Sequence, residues 1–191
     1  YGRGEQMRWF KGPKGIFAFH YINAFEQDGQ VHIDVCLADT QPFPFIRVAS
    51  GIHRDPRDLK FTTERWSFDM GRPGDGYSSR AISPPGDLPR LRDADQGRPY
   101  PHFWLPSMDA SLGPPLIGGP VGAQFNALLR VEPGTGRIAG TAFGPGTGIS
   151  EPVHVPSGKV GHDGWLILVV DRGQDADHHT SELVILDATD I

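Results

Sequence analysis

Hydrophobic and polar positions alternate with a period of two along much of the chain, which is typical of β-strands that bury one face. The first strong run, residues 17–22, has an aromatic side chain at every second position, and His20 lies between two of them. Strict alternation predicts that His20 points to the face opposite Phe17 and Phe19. The pattern therefore predicts a strand with two distinct faces in this segment.

A turn sequence separates this run from the next one. Gln27-Asp28-Gly29 precedes residues 31–35, in which apolar residues alternate with His32 and Asp34. Asp-Gly supplies the positive φ angles that a two-residue hairpin turn requires. The two runs therefore predict a β-hairpin.

Further apolar runs predict strands at residues 43–48, 59–69, 101–105, 124–131, 137–143, 153–156, 165–171 and 182–187. Residues 132–136 predict a turn between two of them, and residues 173–180 predict a polar loop. No segment combines a helical period with capping residues. About a dozen short strands at roughly 8–12-residue spacing predict an all-β fold, which could be a sandwich, a barrel or a propeller.

Composition narrows the class of protein. The 191 residues are 38% hydrophobic and 21% charged, as in globular proteins, and 25 Gly with 18 Pro favour turns over long helices. The net charge of −5 argues against a nucleic-acid partner, which requires a basic surface. No window approaches ~18 consecutive apolar residues, so we expect no membrane span. The only cysteine, Cys36, predicts a buried thiol and fits a cytoplasmic location.

Eight histidines are the candidate metal ligands, and none belongs to a local motif such as His-Glu-x-x-His. A metal site would require single histidines from separate strands. His178 and His179 lie in the polar segment and His162 in a turn, which favours solvent-exposed roles. Alternation also points His32 to solvent. For His20, the residues alone favour a half-buried, hydrogen-bonded side chain over a ligand.

Three carboxylates, Asp69, Asp87 and Glu151, leave a second class of function open. They could supply the acid and base of a propeller glycoside hydrolase or lactonase, for which Ca²⁺ would be the expected metal. A serine hydrolase finds no support, because the Gly-x-Ser-x-Gly motif is absent from the sequence. A non-catalytic, propeller-like binding module is the third alternative.

Five segments follow one another along nearly the whole chain: residues 19–26 (Phe-His-Tyr-Ile-Asn-Ala-Phe-Glu), 86–91 (Gly-Asp-Leu-Pro-Arg-Leu), 126–136 (with Asn-Ala-Leu-Leu and Gly-Thr-Gly), 151–166 (with Glu-Pro-Val-His-Val-Pro and Asp-Gly-Trp-Leu) and 181–188 (Ser-Glu-Leu-Val-Ile-Leu-Asp-Ala). In this order they resemble signatures of the carotenoid cleavage oxygenase family. His154 and the loop at residues 113–120 are most similar to the bacterial branch that cleaves lignostilbenes.

The resemblance implies part of a seven-bladed β-propeller, with iron(II) on its axis held by four histidines. His20 matches one of these metal ligands. Asp87 and Glu151 match carboxylates that hydrogen-bond the ligand imidazoles, although Asp87 is one methylene shorter than the usual glutamate. Phe43 matches an aromatic side chain that lines the substrate cavity, and a core position is an equal alternative for it.

The resemblance also implies a reaction, in which O2 cleaves a conjugated C=C double bond into two carbonyl products. A hydroxystilbene (lignostilbene) is the expected substrate, with carotenoid or apocarotenoid cleavage as the alternative. The other three ligands and the residues that engage the substrate phenol fall outside this segment, so we expect no catalytic residue within it. We expect residues 1–191 to be the C-terminal portion of a single propeller domain, truncated at both ends, with a homodimer as one option for its assembly.

Overall fold

Three antiparallel β-sheets, built from strands that follow one another along the chain, make up the fold. The structure is a computed structural model that describes residues 7–43, 45–46, 58–109, 111, 114–118, 124–175 and 178–191. These residues contain no α-helix, which confirms the all-β prediction. Among them, no helix is long and apolar enough to cross a membrane.

The strands of each sheet are close in sequence. The first sheet has the order β1 (Phe17–Gln27), β2 (Gln30–Ala38), β3 (Phe61–Asp69) and β4 (Ser78–Ser83). The second contains β5 (Phe103–Ser107), β6 (Ala127–Glu132) and β7 (Arg137–Ala142). In the third, β10 (Trp165–Asp175) pairs with β8 (Thr147–Ile149), β9 (Val153–Val155) and β11 (His178–Asp187).

The predicted hairpin turn between β1 and β2 is confirmed. Gln27 pairs with Gln30, and the two residues between them, Asp28 and Gly29, have φ angles of 52° and 73°. Positive φ at both central positions is the requirement of a type I′ turn, whose twist matches that of the flanking strands. The turn therefore sets the pairing register at this end of the first sheet.

A β-bulge in β1 interrupts the predicted alternation. Ala18 pairs with Leu37, but the next paired residue, His20, is opposite Cys36, so Phe19 is an extra residue without its own partner on β2. Neighbouring residues on β2 point to opposite faces of the sheet. His20 therefore lies on the face opposite that of Ala18, because the bulge shifts the ladder by one residue.

The prediction that His20 points away from Phe17 is consequently wrong. Phe17 pairs with Ala38, which lies two residues from Cys36, so Phe17 and His20 share one face of the sheet. A second register shift, between Tyr21 and Asn23, returns the rest of β1 to a regular ladder. Sequence alternation assumes an uninterrupted ladder, and bulges of this kind re-aim side chains beside functional sites.

Other strand boundaries also differ from the prediction. Residues 43 and 45–46 are not in a strand, which makes the predicted strand at residues 43–48 wrong there; residues 44 and 47–48 lie outside the described ranges. Strands β10 and β11 extend into the predicted polar loop at residues 173–180. The side chains of β11 are exposed at that end. Backbone hydrogen bonds hold the two strands together there, so the strands form without the alternation of apolar residues on which the prediction relied.

Strand β5 of the second sheet is buried on both faces and packs into two cores, which also contain residues of the other two sheets. Phe103 and Leu105 of β5 belong to a core cluster that includes residues of the first sheet, such as Ile22 and Cys36. Trp104, between them in sequence, belongs to a second cluster with apolar residues of the third sheet. Each fully buried large apolar side chain contributes about 1.5–3 kcal/mol to folding. Strand β5 therefore joins the two cores.

Ion pairs of Asp163, which lies just before β10, connect that segment to Arg130 of the second sheet and to Arg92. The Asp163 carboxylate lies 3.0 Å from Arg92 Nη1 and 3.3 Å from Arg130 Nη2. Buried His102 lies in the same cluster, with Nε2 3.3 Å from Asp163 Oδ2 and Nδ1 3.1 Å from Arg130 Nη2. Because a guanidinium only donates, Nδ1 accepts and His102 is neutral, with its proton on Nε2.

This arrangement predicts that the protein loses stability in mild acid through His102. Burial, followed by the positive charge of Arg130, lowers the pKa of His102 to about 4. The unfolded chain takes up a proton near its ordinary pKa, so this contribution is complete above about pH 6.5 and is lost as the pH falls toward 4. Replacing His102 with Gln should reduce the difference in unfolding free energy between pH 7 and pH 5 by about 1–2 kcal/mol.

Denaturant titrations of the full-length protein and the H102Q variant at the two pH values measure this difference. An H102Q variant that keeps the full wild-type loss of stability at pH 5 would contradict the assignment.

Candidate metal centre

His20 lies on β1, the edge strand of the first sheet, and contacts a carboxylate from a distant segment. Its Nδ1 atom is 2.8 Å from Oδ1 of Asp87, and the two side chains are 34% and 20% exposed. A carboxylate of this kind accepts hydrogen bonds, so Nδ1 carries the proton and donates it to Asp87. The lone pair of the ring is then on Nε2, which has no hydrogen-bond partner among the described residues.

The backbone around Asp87 is held tightly against β5. Asp87 N donates to the carbonyl oxygen of Pro106 (3.1 Å), and Gly86 forms a β-bridge with Ser107. A Cβ atom on Gly86 would lie 2.4 Å from Pro106 O, so only glycine fits this approach. Leu88, immediately after the acid, has a φ of 56°, which is uncommon for a residue other than glycine. These contacts place the short Asp87 side chain within reach of His20.

The His20–Asp87 pair fits a first-row transition metal. A metal-binding histidine usually donates its second ring N–H to a carboxylate, which fixes the tautomer and the ring orientation and makes the ligand nitrogen more basic. His20 and Asp87 have this arrangement, with Nε2 left as the ligand atom. No three His, Cys, Asp or Glu side chains in the described part of the chain form a complete metal site. Within the described residues, the His20 imidazole is therefore the group whose arrangement fits a metal ligand.

A group of phenylalanine side chains lies beside His20, and one of them, Phe19, contacts its ring. The ring of Phe19 makes an edge contact with the His20 imidazole, with centroids 4.3 Å apart, and Phe17 stacks on Phe19 at 5.8 Å. Phe43 lies 5.0 Å from Phe19, and Phe45 lies 5.2 Å from Phe43. We call Phe17, Phe19, Phe43 and Phe45 the aromatic wall. Phe19 is 44% exposed and Phe45 69%, so part of this wall is accessible to a ligand.

Glu151 is not brought to the His20–Asp87 pair. It is exposed and lies between β8 and β9, and among the described residues its carboxylate makes no hydrogen bond or ion pair. Asp69 accepts hydrogen bonds from the backbone N–H groups of Gly71 and Arg72 in a turn, and no contact joins Asp69, Asp87 and Glu151 among the described residues. This use of Asp69 gives the glycosidase alternative no support.

The structure also shows contacts for three histidines that the sequence predicts to be solvent-exposed, His32 by alternation and His162 and His179 by their turn and polar segment. His32 is half-buried: its Nδ1 lies 2.8 Å from Ser67 Oγ, and its pKa is lowered by burial and then by Arg65. His162 lies 3.2 Å from the Asp187 carboxylate. His179, which belongs to β11, lies 3.7 Å from Asp171. These contacts join neighbouring strands or turns.

Two features of the site are absent from the sequence analysis. The first is the presence of His20 on the same face as Phe17, which depends on the bulge at Phe19, and the sequence carries no signal for that bulge. The second is Cys36, which is directly opposite His20 across the ladder, is buried, and lines the same small cavity as Asp87. Its burial follows from its apolar run, but its position near Asp87 depends on how the first sheet packs against the segment beside β5.

Comparison with known proteins places the chain in a family. The model of the RPE65 family, retinal pigment epithelial membrane protein, matches residues 1–191. The chain belongs to this family of carotenoid cleavage oxygenases, which confirms the resemblance of its sequence signatures.

Relatives with named activities are oxygenases. Lignostilbene-alpha,beta-dioxygenase isozyme III of Sphingomonas paucimobilis is 31% identical over 98% of this chain and 39% of its own length. Apocarotenoid-15,15'-oxygenase of Synechocystis is 30% identical over 92% of this chain and 34% of its own length. Isoeugenol monooxygenase of Pseudomonas nitroreducens is 27% identical over the whole chain and 39% of its own length. The chain thus spans less than two fifths of these relatives.

Solved structures confirm that the three sheets are part of a β-propeller. The lignostilbene dioxygenase of Pseudomonas brassicacearum superposes with a TM-score of 0.84 and 31% identity, over 96% of this chain and 38% of that one. A Synechocystis apocarotenoid oxygenase gives a TM-score of 0.67 and 26% identity, over 92% of this chain and 34% of that one.

The close approach at Gly86 predicts that a single methyl group disturbs the site. In a Gly86→Ala variant, the new Cβ would meet Pro106 O at 2.4 Å and Leu105 Cγ at 2.6 Å, which forces the Asp87 segment away from β5. Such overpacking typically costs about 1–3 kcal/mol of unfolding free energy. The matched control is Gly134→Ala, because a Cβ on Gly134 meets nothing within 4 Å.

Denaturant titration of the two full-length variants tests this prediction. Equal stability of G86A and G134A would contradict the tight packing at Gly86.

Proposed function

We propose that this chain is the part of a non-haem iron(II) dioxygenase that supplies His20 as one metal ligand. The whole enzyme cleaves a conjugated C=C double bond with O2 and releases two carbonyl products. The observation that carries the proposal is the His20–Asp87 contact, which leaves Nε2 available beside the exposed aromatic wall. Membership of an oxygenase family supports the same reaction class.

The chemistry of the donor supports iron as the metal. Neutral imidazole suits iron, zinc, copper and nickel, and a Synechocystis relative has been solved in a cobalt-substituted form. Iron(II), when bound, would supply open coordination positions at which O2 is activated, while the alkene itself supplies the four electrons that reduce O2 to the two carbonyl oxygens. In this arrangement Asp87 holds the proton on Nδ1 of His20, so that the imidazole stays in one tautomer.

The aromatic wall supports an apolar, conjugated substrate. Phe19 and Phe45 expose ring surface beside His20, where a planar aryl group can stack and exclude water. The named relatives act on lignostilbene, apocarotenoid and isoeugenol, all of which are conjugated alkenes. We infer a hydroxystilbene of the lignostilbene class, since a lignostilbene dioxygenase superposes with a TM-score of 0.84, compared with 0.67 for an apocarotenoid oxygenase.

The ligand assignment predicts loss of the metal when the imidazole is removed. His20→Ala in the full-length enzyme should abolish both iron binding and substrate cleavage. His32→Ala is the matched control, because His32 is a half-buried histidine of the adjacent strand whose Nδ1 bonds to Ser67. Iron content per chain and turnover with a lignostilbene substrate measure the effect. Normal turnover by H20A would refute the assignment.

Glu151 is proposed to hydrogen-bond a metal-binding histidine outside residues 1–191. Glu151→Gln keeps the size of the side chain but removes its charge, and loss of such a partner costs about 10–100-fold in metal affinity or activity. Glu182→Gln is a suitable control, because Glu182 is an exposed acid paired with Arg172 on the third sheet. Chelator competition gives the metal affinities. Unchanged affinity in E151Q would assign Glu151 to the surface.

Phe43 is proposed to line the substrate cavity without supporting the metal. Phe43→Ala should raise KM by about 3- to 10-fold, the equivalent of one lost aromatic contact, while iron stays bound. Phe10→Ala is the control, since Phe10 packs on Phe68 and has no contact with the aromatic wall. Steady-state kinetics and iron content are measured together. Loss of iron from F43A would show that Phe43 supports the fold of the site.

A further inference from the structure

Asn23, on the edge strand β1, holds a neighbouring turn with its whole side-chain amide. Its Nδ2 atom donates to the carbonyl oxygens of Asp95 (3.1 Å) and Arg98 (2.9 Å), and its Oδ1 atom accepts from the backbone N–H of Gly97 (3.0 Å). The backbone N–H of Ala24 also donates to Oδ1, at 3.0 Å. Asn23 is only 7% exposed, so water competes little for the amide.

The turn lies at the end of a longer segment, residues 87–98, and the contact between Asp87 and His20 lies at the beginning of that segment. In the middle, buried Leu91 belongs to the same core cluster as Ile22 of β1. We call residues 87–98 the flanking segment. Its beginning, middle and end are therefore all associated with one short stretch of β1.

The position of β1 depends on these contacts because its backbone pairing is irregular. Among the described strands, β1 pairs only with β2, and register shifts interrupt the ladder at Phe19 and between Tyr21 and Asn23. A bulged strand bends where a residue lacks a ladder partner. The hydrogen bonds of Asn23 come directly after the second shift, about 10 Å of extended chain from His20. They therefore fix this irregular part of β1 against the flanking segment.

The flanking segment is itself fixed to β5. Arg90 and Trp104 exchange two backbone hydrogen bonds, of 2.7 and 2.8 Å, and Asp87 N donates to the carbonyl oxygen of Pro106. Trp104 is fully buried, so this part of the segment has little freedom to move. The segment is thus a fixed reference, and the amide of Asn23 determines how β1 lies against it.

We propose that Asn23 is a positioning residue, whose amide fixes β1 to the flanking segment and thereby sets the approach of the His20 imidazole to the Asp87 carboxylate. The inference rests on the proposed role of His20 as a metal ligand. Asn23 itself contacts neither the metal nor the substrate in this proposal.

Two substitutions in the full-length enzyme test the role of the amide. Asn23→Ala removes every side-chain hydrogen bond, whereas Asn23→Asp keeps the size and the accepted bonds but, when ionised, cannot donate to the two carbonyl oxygens. Residues 96–98 are exposed, so water can replace the amide as their partner and both variants should fold.

We expect N23A and N23D to bind Co²⁺ about 10-fold more weakly than the wild type, as is typical when the groups that orient a ligand are disturbed. Chelator competition measures the affinity, and the visible absorption of bound Co²⁺, which should change in both variants, reports the ligand geometry. Wild-type affinity and absorption in both variants would overturn the proposal.

Thr147→Val is the matched control for a purely structural role. Thr147 is fully buried, and its hydroxyl also holds a turn, by donating to the carbonyl oxygen of Gly144 at 2.6 Å, but it lies in the third sheet. We expect T147V to lower the melting temperature and to keep wild-type Co²⁺ affinity and absorption. Equal changes of Co²⁺ binding in T147V and N23A would overturn the proposal.

A double-mutant cycle tests whether Asn23 acts through the His20–Asp87 contact. If it does, Asn23→Ala should cause no further loss of Co²⁺ affinity in an Asp87→Ala background. Additive losses in the cycle would overturn the proposal.

The H20A variant distinguishes failure of this inference from failure of the proposed function. If H20A binds Co²⁺ as tightly as the wild type, the ligand assignment itself is wrong, and the positioning role of Asn23 is refuted with it. If H20A loses Co²⁺ while N23A and N23D keep wild-type affinity and absorption, only the role of Asn23 is refuted.

Discussion

The hydrogen bond between His20 and Asp87 joins segments that are 67 residues apart, and the geometry of the candidate site depends on it. The bulge in β1 orients the imidazole of His20, whereas Asp87 lies in a segment whose backbone is hydrogen-bonded to β5. Because the carboxylate accepts, the contact selects one tautomer and one orientation of the ring. The free Nε2 lone pair and the proposed metal role both follow from this contact.

Packing of the second sheet makes the contact rigid. Phe103 and Leu105 pack toward the first sheet, and Trp104 packs toward the third, so β5 cannot shift without disturbing both cores. Asp87 is bonded to this same strand through the carbonyl oxygen of Pro106. The position of the acid is therefore set by the cores on both sides of the second sheet, and the exposed loops have little influence on it.

Much of the fold, but less of the site, could be predicted from the sequence. The Asp28-Gly29 turn was predictable because its chemistry is local, and the strands with alternating apolar residues were predictable for the same reason. The bulge at Phe19 was not, since a one-residue shift of the ladder reflects how β1 meets β2 and reverses the predicted face of His20. His20 and Asp87 were selected by family resemblance, and only the packing of two sheets shows that they touch.

A crystal structure of the full-length enzyme with iron bound tests the central claim most directly. The account predicts an anomalous iron peak about 2.0–2.2 Å from Nε2 of His20, the usual distance for an imidazole ligand, with Nδ1 still bonded to Asp87. Iron bound through Nδ1 of His20, or an iron site to which His20 does not contribute, would contradict the account.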